Sequence, residues 1–150
     1  MTMTTSASNA PAHTVNRLVP FAHVASVDVS MEFYHHLGFV PVRVLKDHQG
    51  QAFWAMLSSG GAELMLARAS GPIDAEQQAV LFYMYSKDVA TLRQHLIESG
   101  HPDRTSMSPE ANAKGPFPAV LAISFPNHMP AGELRIHDPD GYVILVGQLG

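Results

Sequence analysis

Residues 132–148 read GELRIHDPDGYVILVGQ, and this stretch decides the fold. Glu133–His137 alternates polar and apolar side chains, the pattern of a half-buried strand. Asp138, Pro139, Asp140 and Gly141 then supply the residues of a type I turn: Asp at the first position, Pro at the second and Gly at the fourth. A second strand runs from about 142 to 147, and from Val143 to Val146 it has no polar side chain. The chain therefore ends in an antiparallel hairpin with one strongly apolar strand.

Working backwards from this hairpin, an order of elements emerges that occurs twice. A strand is predicted from about Leu18 to Ala25. A helix follows over about 28–37, with Val29 and Phe33, and Met31 and Tyr34, one turn apart. Gly38 stops it. Strands near 39–45, 51–58 and 62–67 are separated by the turn-forming segments KDHQG and SSGG. After a loop, a strand over about 80–86 leads into a helix over 88–99, with Val89, Leu92, Leu96 and Ile97 on one face and Gly100 as its stop. Strands near 119–125, 133–137 and 142–147 complete the second set. The expected fold is α+β with mostly antiparallel strands, the order strand–helix–strand–strand–strand occurring twice, over residues 17–70 and 78–150, within a single domain. Residues 1–16 are small, polar and aperiodic, and are expected to form a disordered arm.

The chain has 150 residues, of which 46% are hydrophobic and 15% charged, enough apolar material for a packed core. The formal net charge of −4 gives no footing for a nucleic-acid or anionic-membrane partner. Without cysteine there is no disulfide, thiolate ligand or thiol nucleophile. No apolar run approaches the roughly 20 residues that span a bilayer, and residues 1–17 lack the apolar core of a secretory signal. A cytoplasmic location is the default expectation. No phosphate loop, nucleophile elbow or zinc-protease helix motif is present.

The segment SVDVSMEFYHHLGF in the first half and DPDGYVILVG in the second resemble the vicinal oxygen chelate superfamily, which includes glyoxalase I, bleomycin-resistance proteins and extradiol dioxygenases. The resemblance extends over about residues 18–149. It implies two βαβββ modules cupping a cavity, often within a homodimer. It also implies a divalent metal held by His and Glu side chains at four strand positions. Carried onto this chain, those positions are Val19, Glu63, Leu81 and Leu145. Three are aliphatic and have no lone pair to donate, so no resident metal or other cofactor is expected.

By alternation, the face that would line the cavity carries Val19, Phe21 and His23, then Glu63 and Met65, then Leu81, Tyr83 and Tyr85, then Val143 and Leu145. Together with Trp54, which is able to stack on a planar ligand, the candidate ligand-binding set is Phe21, His23, Trp54, Glu63, Met65, Tyr83, Tyr85 and Leu145. Ordinary sheet packing explains the same composition. Glu63 reads either as a structural carboxylate bonded to Tyr83 or Arg135, or as the anchor of a cationic ligand, or as a general base. His23 reads either as a core histidine or as a substrate contact, and His23 with Glu63 are the candidate catalytic pair.

Three functions follow. The first is metal-independent binding of a small hydrophobic, aromatic or cationic molecule by a homodimer of the bleomycin-resistance kind. The second is a glyoxalase- or dioxygenase-type enzyme with Glu63/His23 acid–base chemistry, or with a divalent metal at His23, Glu63, His128 and His137. The third is an interaction module with a closed core. His35 and His36 are neighbours on a helix and point apart. The long loop 101–118, with Asn112, Lys114 and Phe117, is a candidate lid.

Overall fold

Both helices begin and end by the same local chemistry. In a computed structural model, which describes residues 11–78, 81–101 and 121–149, α1 spans Val27–His35 and the Ser26 side chain accepts from the Val29 N–H at its start. α2 spans Val89–Glu98 and is capped likewise by Asp88, which accepts from the Thr91 N–H. Each ends on a glycine with positive φ, Gly38 at 97° and Gly100 at 99°. The residue after each glycine returns a backbone bond into the last turn: Phe39 to Tyr34 and His101 to Leu96, both 3.0 Å. Two equivalent stops at equivalent places are the clearest mark of the internal repeat.

Sheet 1 contains β1 (Phe21–Val24), β2 (Val40–Lys46), β3 (Ala52–Ser59) and β4 (Ala62–Arg68), in the order β1-β4-β3-β2. Sheet 2 contains β5 (Leu81–Ser86), β6 (Ala122–Ser124), β7 (Glu133–His137) and β8 (Val143–Gln148), in the order β5-β8-β7-β6. In each sheet the outer first strand pairs parallel to the last strand, and the other pairs are antiparallel. The two sheets do not close into a barrel. This is the α+β arrangement expected from the sequence. β1 is shorter than expected and starts at Phe21, because Pro20 has no N–H to give to a ladder. The Pro20 carbonyl still accepts from the Met65 N–H.

One face of each sheet is covered by its helix. Ala22, Val24, Ala55, Leu57, Leu64 and Leu66 are buried in sheet 1, and Phe82, Ile144 and Val146 in sheet 2. α1 faces this core with Val27, Ser30, Phe33 and Tyr34. Val29, expected on the apolar stripe, is instead 53% exposed, because the buried stripe runs through Val27 and Ser30 rather than through Val29. α2 buries Val89 and Leu96, with Leu92 and Ile97 packed at the margin, as its periodicity predicts.

The 138–141 turn ties the halves together. It closes through the Gly141 N–H to the Asp138 carbonyl, 3.1 Å, and Gly141 has φ 87° with the Ala75 carbonyl standing where a Cβ would collide with it. Asp138 is fully buried and accepts from the Tyr34 hydroxyl at 2.7 Å and from the Asp140 and Tyr142 N–H groups at 2.9 Å each. Asp140, also buried, accepts from the Ala25 N–H at 2.8 Å and from the Ser30 hydroxyl at 3.3 Å. The Tyr142 hydroxyl donates to the His23 carbonyl, and the Tyr142 ring stacks on Phe82. Two carboxylates of the second module are thus enclosed by donors from the exit of β1 and from α1 of the first.

Burial pushes the Asp138 carboxyl up from 3.8 to about 6, against the pull of its three donors. A folded value above the unfolded one means that the native chain holds this proton between about pH 4 and pH 6. The stability from this group is complete below about pH 4 and is lost as the pH rises through 6, a change of roughly 3 kcal/mol. Asn at this position does not titrate. In denaturant melts, Asp138→Asn is therefore expected to be weakest relative to wild type near pH 4, with the gap narrowing towards pH 7. A gap that stays constant with pH would show that Asp138 is ionised throughout.

Candidate functional site

The face of each sheet turned away from its helix carries the polar and aromatic groups. The register sets them in rows. In sheet 1, His23 lies beside Ala67 and Ala67 beside Trp54, Phe21 lies beside Met65 and Met65 beside Met56, and Glu63 lies beside Ser58. In sheet 2, Tyr83 lies beside Leu145 and Leu145 beside Arg135, and Tyr85 lies beside Gly147 and Gly147 beside Glu133. The parity read from the sequence is therefore the observed one, and the face it selects is open. Phe21 is 53% exposed and Tyr85 61% exposed. His23 is also exposed, with its ring edge-on to Phe21 at 5.3 Å, so it is not a core histidine. Trp54 is half-buried beneath the Arg43 guanidinium, 5.9 Å above its ring, rather than filling the core.

A cavity of about 770 Å³ opens between the β3–β4 hairpin and β5. Glu63, Tyr83 and Tyr85 line it, with Leu18, Pro20 and Phe39 among the apolar walls. Phe21, His23, Trp54, Met65 and Leu145 do not line it and lie on the open faces, whereas Leu64, Phe82 and Val146 of the helix-covered faces do line it.

The partners of the carboxylates differ from expectation. Glu63 is bonded neither to Tyr83 nor to Arg135. Arg17 reaches it as a fork, Nε donating to Oε1 at 2.8 Å and Nη2 to Oε2. This geometry is the strong, bidentate form of an arginine–carboxylate pair. Glu63 and His23 do not form a pair either. The parallel register of β1 and β4 puts His23 beside Ala67, four positions along β4 from Glu63, about 13 Å at roughly 3.3 Å per residue.

The sequence reading missed a second polar cluster. Glu133, buried on β7, accepts from the Tyr83 hydroxyl at 2.6 Å, and His128 Nε2 lies 2.9 Å from the same oxygen. Tyr83 reaches Glu133 across β8 because Gly147 lies between them. A Cβ there would meet Met129 Cε at 2.6 Å and the Tyr83 hydroxyl at 3.0 Å. The bond to Glu133 pushes the Tyr83 phenol up to about 12, and the same bond, with help from His128, holds Glu133 below the usual carboxylate range. The mid-strand glycine in VILVGQ was the available signal. Tyr83 thus keeps its proton directed at Glu133, across β8, while the residue itself lines the cavity. With Glu63, the cavity offers acceptors and aromatic faces, a surface suited to a planar molecule with N–H or cationic groups.

The match to known proteins agrees with this architecture. The sequence profile described as the Glyoxalase/Bleomycin resistance protein/Dioxygenase superfamily matches residues 12–146. The chain belongs to that superfamily. No curated protein matches it. Solved structures share the superfamily fold. A bleomycin-binding protein in complex with bleomycin superposes with a TM-score of 0.64 at 20% identity, covering 91% of this chain and 100% of that one. The bleomycin-binding protein of the bleomycin producer Streptomyces verticillus, in complex with copper(II)-bleomycin, gives 0.61 at 17%, covering 91% and 100%. A glyoxalase-related enzyme from Clostridium phytofermentans gives 0.63 at 12%, covering 93% and 98%.

The positions that the resemblance assigns to a metal, Val19, Glu63, Leu81 and Leu145, do not make a donor set that fits one: three are aliphatic, and Glu63 is engaged by Arg17. The alternative set of His23, Glu63, His128 and His137 does not converge, because among the described residues no three His, Cys, Asp or Glu side chains are placed to hold a metal ion. His128 pairs with Glu133, and His137 is half-buried on β7 and held down at about 4 by burial. His36, at the end of α1, meets His101 at 3.0 Å, while His35 is exposed. Asn112, Lys114 and Phe117 of the candidate lid lie outside the described residues.

Removing the Glu133 charge should release the Tyr83 proton at lower pH. Absorbance titration of the tyrosines should show one more ionised phenol near pH 11 in Glu133→Gln than in wild type. Identical curves would mean that the two groups are not bonded in solution.

Proposed function

We propose that this protein binds a small, planar, cationic molecule without a metal, at the cavity lined by Glu63, Tyr83 and Tyr85. The observation that carries this reading is the meeting of a carboxylate with two adjacent tyrosines in the lining of one cavity. The likeness of the fold to bleomycin-binding proteins supports it. Tyr83 and Tyr85 are 5.4 Å apart and tilted by 54°, so that they present two ring faces at different angles.

The working unit in this reading is a homodimer. Each chain leaves an apolar and aromatic face of both sheets open, including Phe21, Tyr83 and Tyr85. A second copy is the natural cover, because its own open faces carry the same need. A cytoplasmic location is part of the same proposal.

A second reading, as an acid–base enzyme, draws on the His128–Glu133 pair rather than on His23 and Glu63. A buried carboxylate holding one nitrogen of an exposed imidazole is the arrangement of an oriented general base.

Calorimetric titration with bleomycin, a cationic molecule with planar rings, on metal-stripped and untagged protein tests the first reading. Saturable binding that survives chelation and weakens roughly tenfold in Glu63→Gln is expected. Tight metal retention after desalting, or turnover abolished by His128→Gln, would favour the enzyme instead. Dimer mass in solution is expected from light scattering.

A further inference from the structure

Glu63, which lines the cavity, already holds a cationic, planar group of the chain's own. Arg17 lies in the segment just before β1, and its guanidinium makes a fork on both oxygens of Glu63. The next residues, Leu18 and Pro20, belong to the cavity wall. The segment is held lightly. Arg17 is 58% exposed at its side chain and Leu18 is 83% exposed. The next backbone tie recorded downstream is the Pro20 carbonyl to the Met65 N–H. Glu63 is the more enclosed partner, at 34%. An exposed ion pair of this kind is weak and easily exchanged, whereas its geometry is specific.

We propose that residues 11–18 act as a tethered competitor: Arg17 occupies the carboxylate that a cationic ligand requires and must leave Glu63 before that ligand binds. This rests on the proposed function and assigns Arg17 a part in it, as the residue that sets affinity for cations. A guanidinium resembles the ligand in charge, planarity and hydrogen-bond donors, so it excludes neutral molecules and weak cations alike. It also satisfies Glu63 when the cavity is free, which removes the cost of an unpaired carboxylate in an apolar wall. Since the competitor's segment is pinned three residues on, where the Pro20 carbonyl accepts from the Met65 N–H two positions from Glu63 on β4, its effective concentration is high and its intrinsic weakness is offset.

The experiment is a double-substitution cycle read by calorimetry with bleomycin, using wild type, Arg17→Ala, Glu63→Gln and the pair. Arg17→Ala is expected to tighten binding roughly two- to fivefold, the range an exposed ion pair spans, and to leave affinity unchanged when Glu63→Gln is already in place. Thermal melts of the four proteins confirm that they fold. A second readout needs no affinity comparison. The Arg17–Leu18 bond is a trypsin site, and saturating bleomycin should speed its cleavage as Arg17 is released. Weaker binding in Arg17→Ala would make Arg17 a ligand contact and overturn the proposal. Equal tightening with Glu63 intact and in the Glu63→Gln background would reduce its role to net charge and also overturn it. Bleomycin binding that weakens in Glu63→Gln but is unchanged in Arg17→Ala sinks the competitor alone, whereas no binding by any of the four, or binding indifferent to Glu63→Gln, sinks the proposed function as well.

Discussion

Two buried carboxylates hold the molecule together. Asp138 and Asp140 stand two residues apart on one turn and are enclosed by donors from the other half of the chain: the Tyr34 and Ser30 hydroxyls and the Ala25 N–H. A buried carboxylate without such partners is far more costly than the few kcal/mol that separate folded from unfolded chains. The turn can therefore be buried only where α1 and the end of β1 are already in place. That requirement fixes how the modules meet, which in turn sets β5 near the β3–β4 hairpin and opens the cavity between them. The position of Glu63 relative to Tyr83 thus follows from a turn that contacts neither.

The same rule explains what lies on the open faces. Glu133 is buried in sheet 2 but satisfied by Tyr83 and His128. Glu63 is satisfied by Arg17. Neither carboxylate is left as a bare charge, and the Tyr83 phenol, pushed up to about 12, is no proton acceptor at neutral pH. This arrangement suits the donor-bearing ligand proposed for the site. His128 is exposed and held by Glu133.

The sequence made the fold legible because its signals were local. Strand parity separated Phe21, Glu63, Met65, Tyr83, Tyr85 and Leu145 from the helix-covered residues Ala22, Leu64, Leu66, Phe82 and Ile144, and the capping glycines placed both helix ends. The site was only partly legible because its bonds join distant segments. Parity put His23 and Glu63 on one face, but only the parallel register of β1 with β4 reveals that they lie four positions apart. Arg17 lies in an aperiodic stretch that gives no directional signal, so its fork on Glu63 left no trace in the pattern. The Tyr83–Glu133 bond depends on a gap at Gly147 that has meaning only once β5, β8 and β7 are adjacent.

The bonds from the turn back to β1 also bear on the order in which the chain can be completed. Ala25 and Asp140 are 115 positions apart, and Tyr34 and Asp138 104. On a ribosome, the first module emerges long before its final partners exist. Until the last hairpin is made, the Tyr34 and Ser30 hydroxyls and the Ala25 N–H must be satisfied by water, and the apolar stripe of α1 must be guarded against other chains. Contacts of such long range close slowly, and a half-made βαβββ unit with open sheet edges is the form most prone to pair wrongly. The vulnerable moment for this protein is therefore during synthesis, and it ends when DPDG arrives to seal the first half.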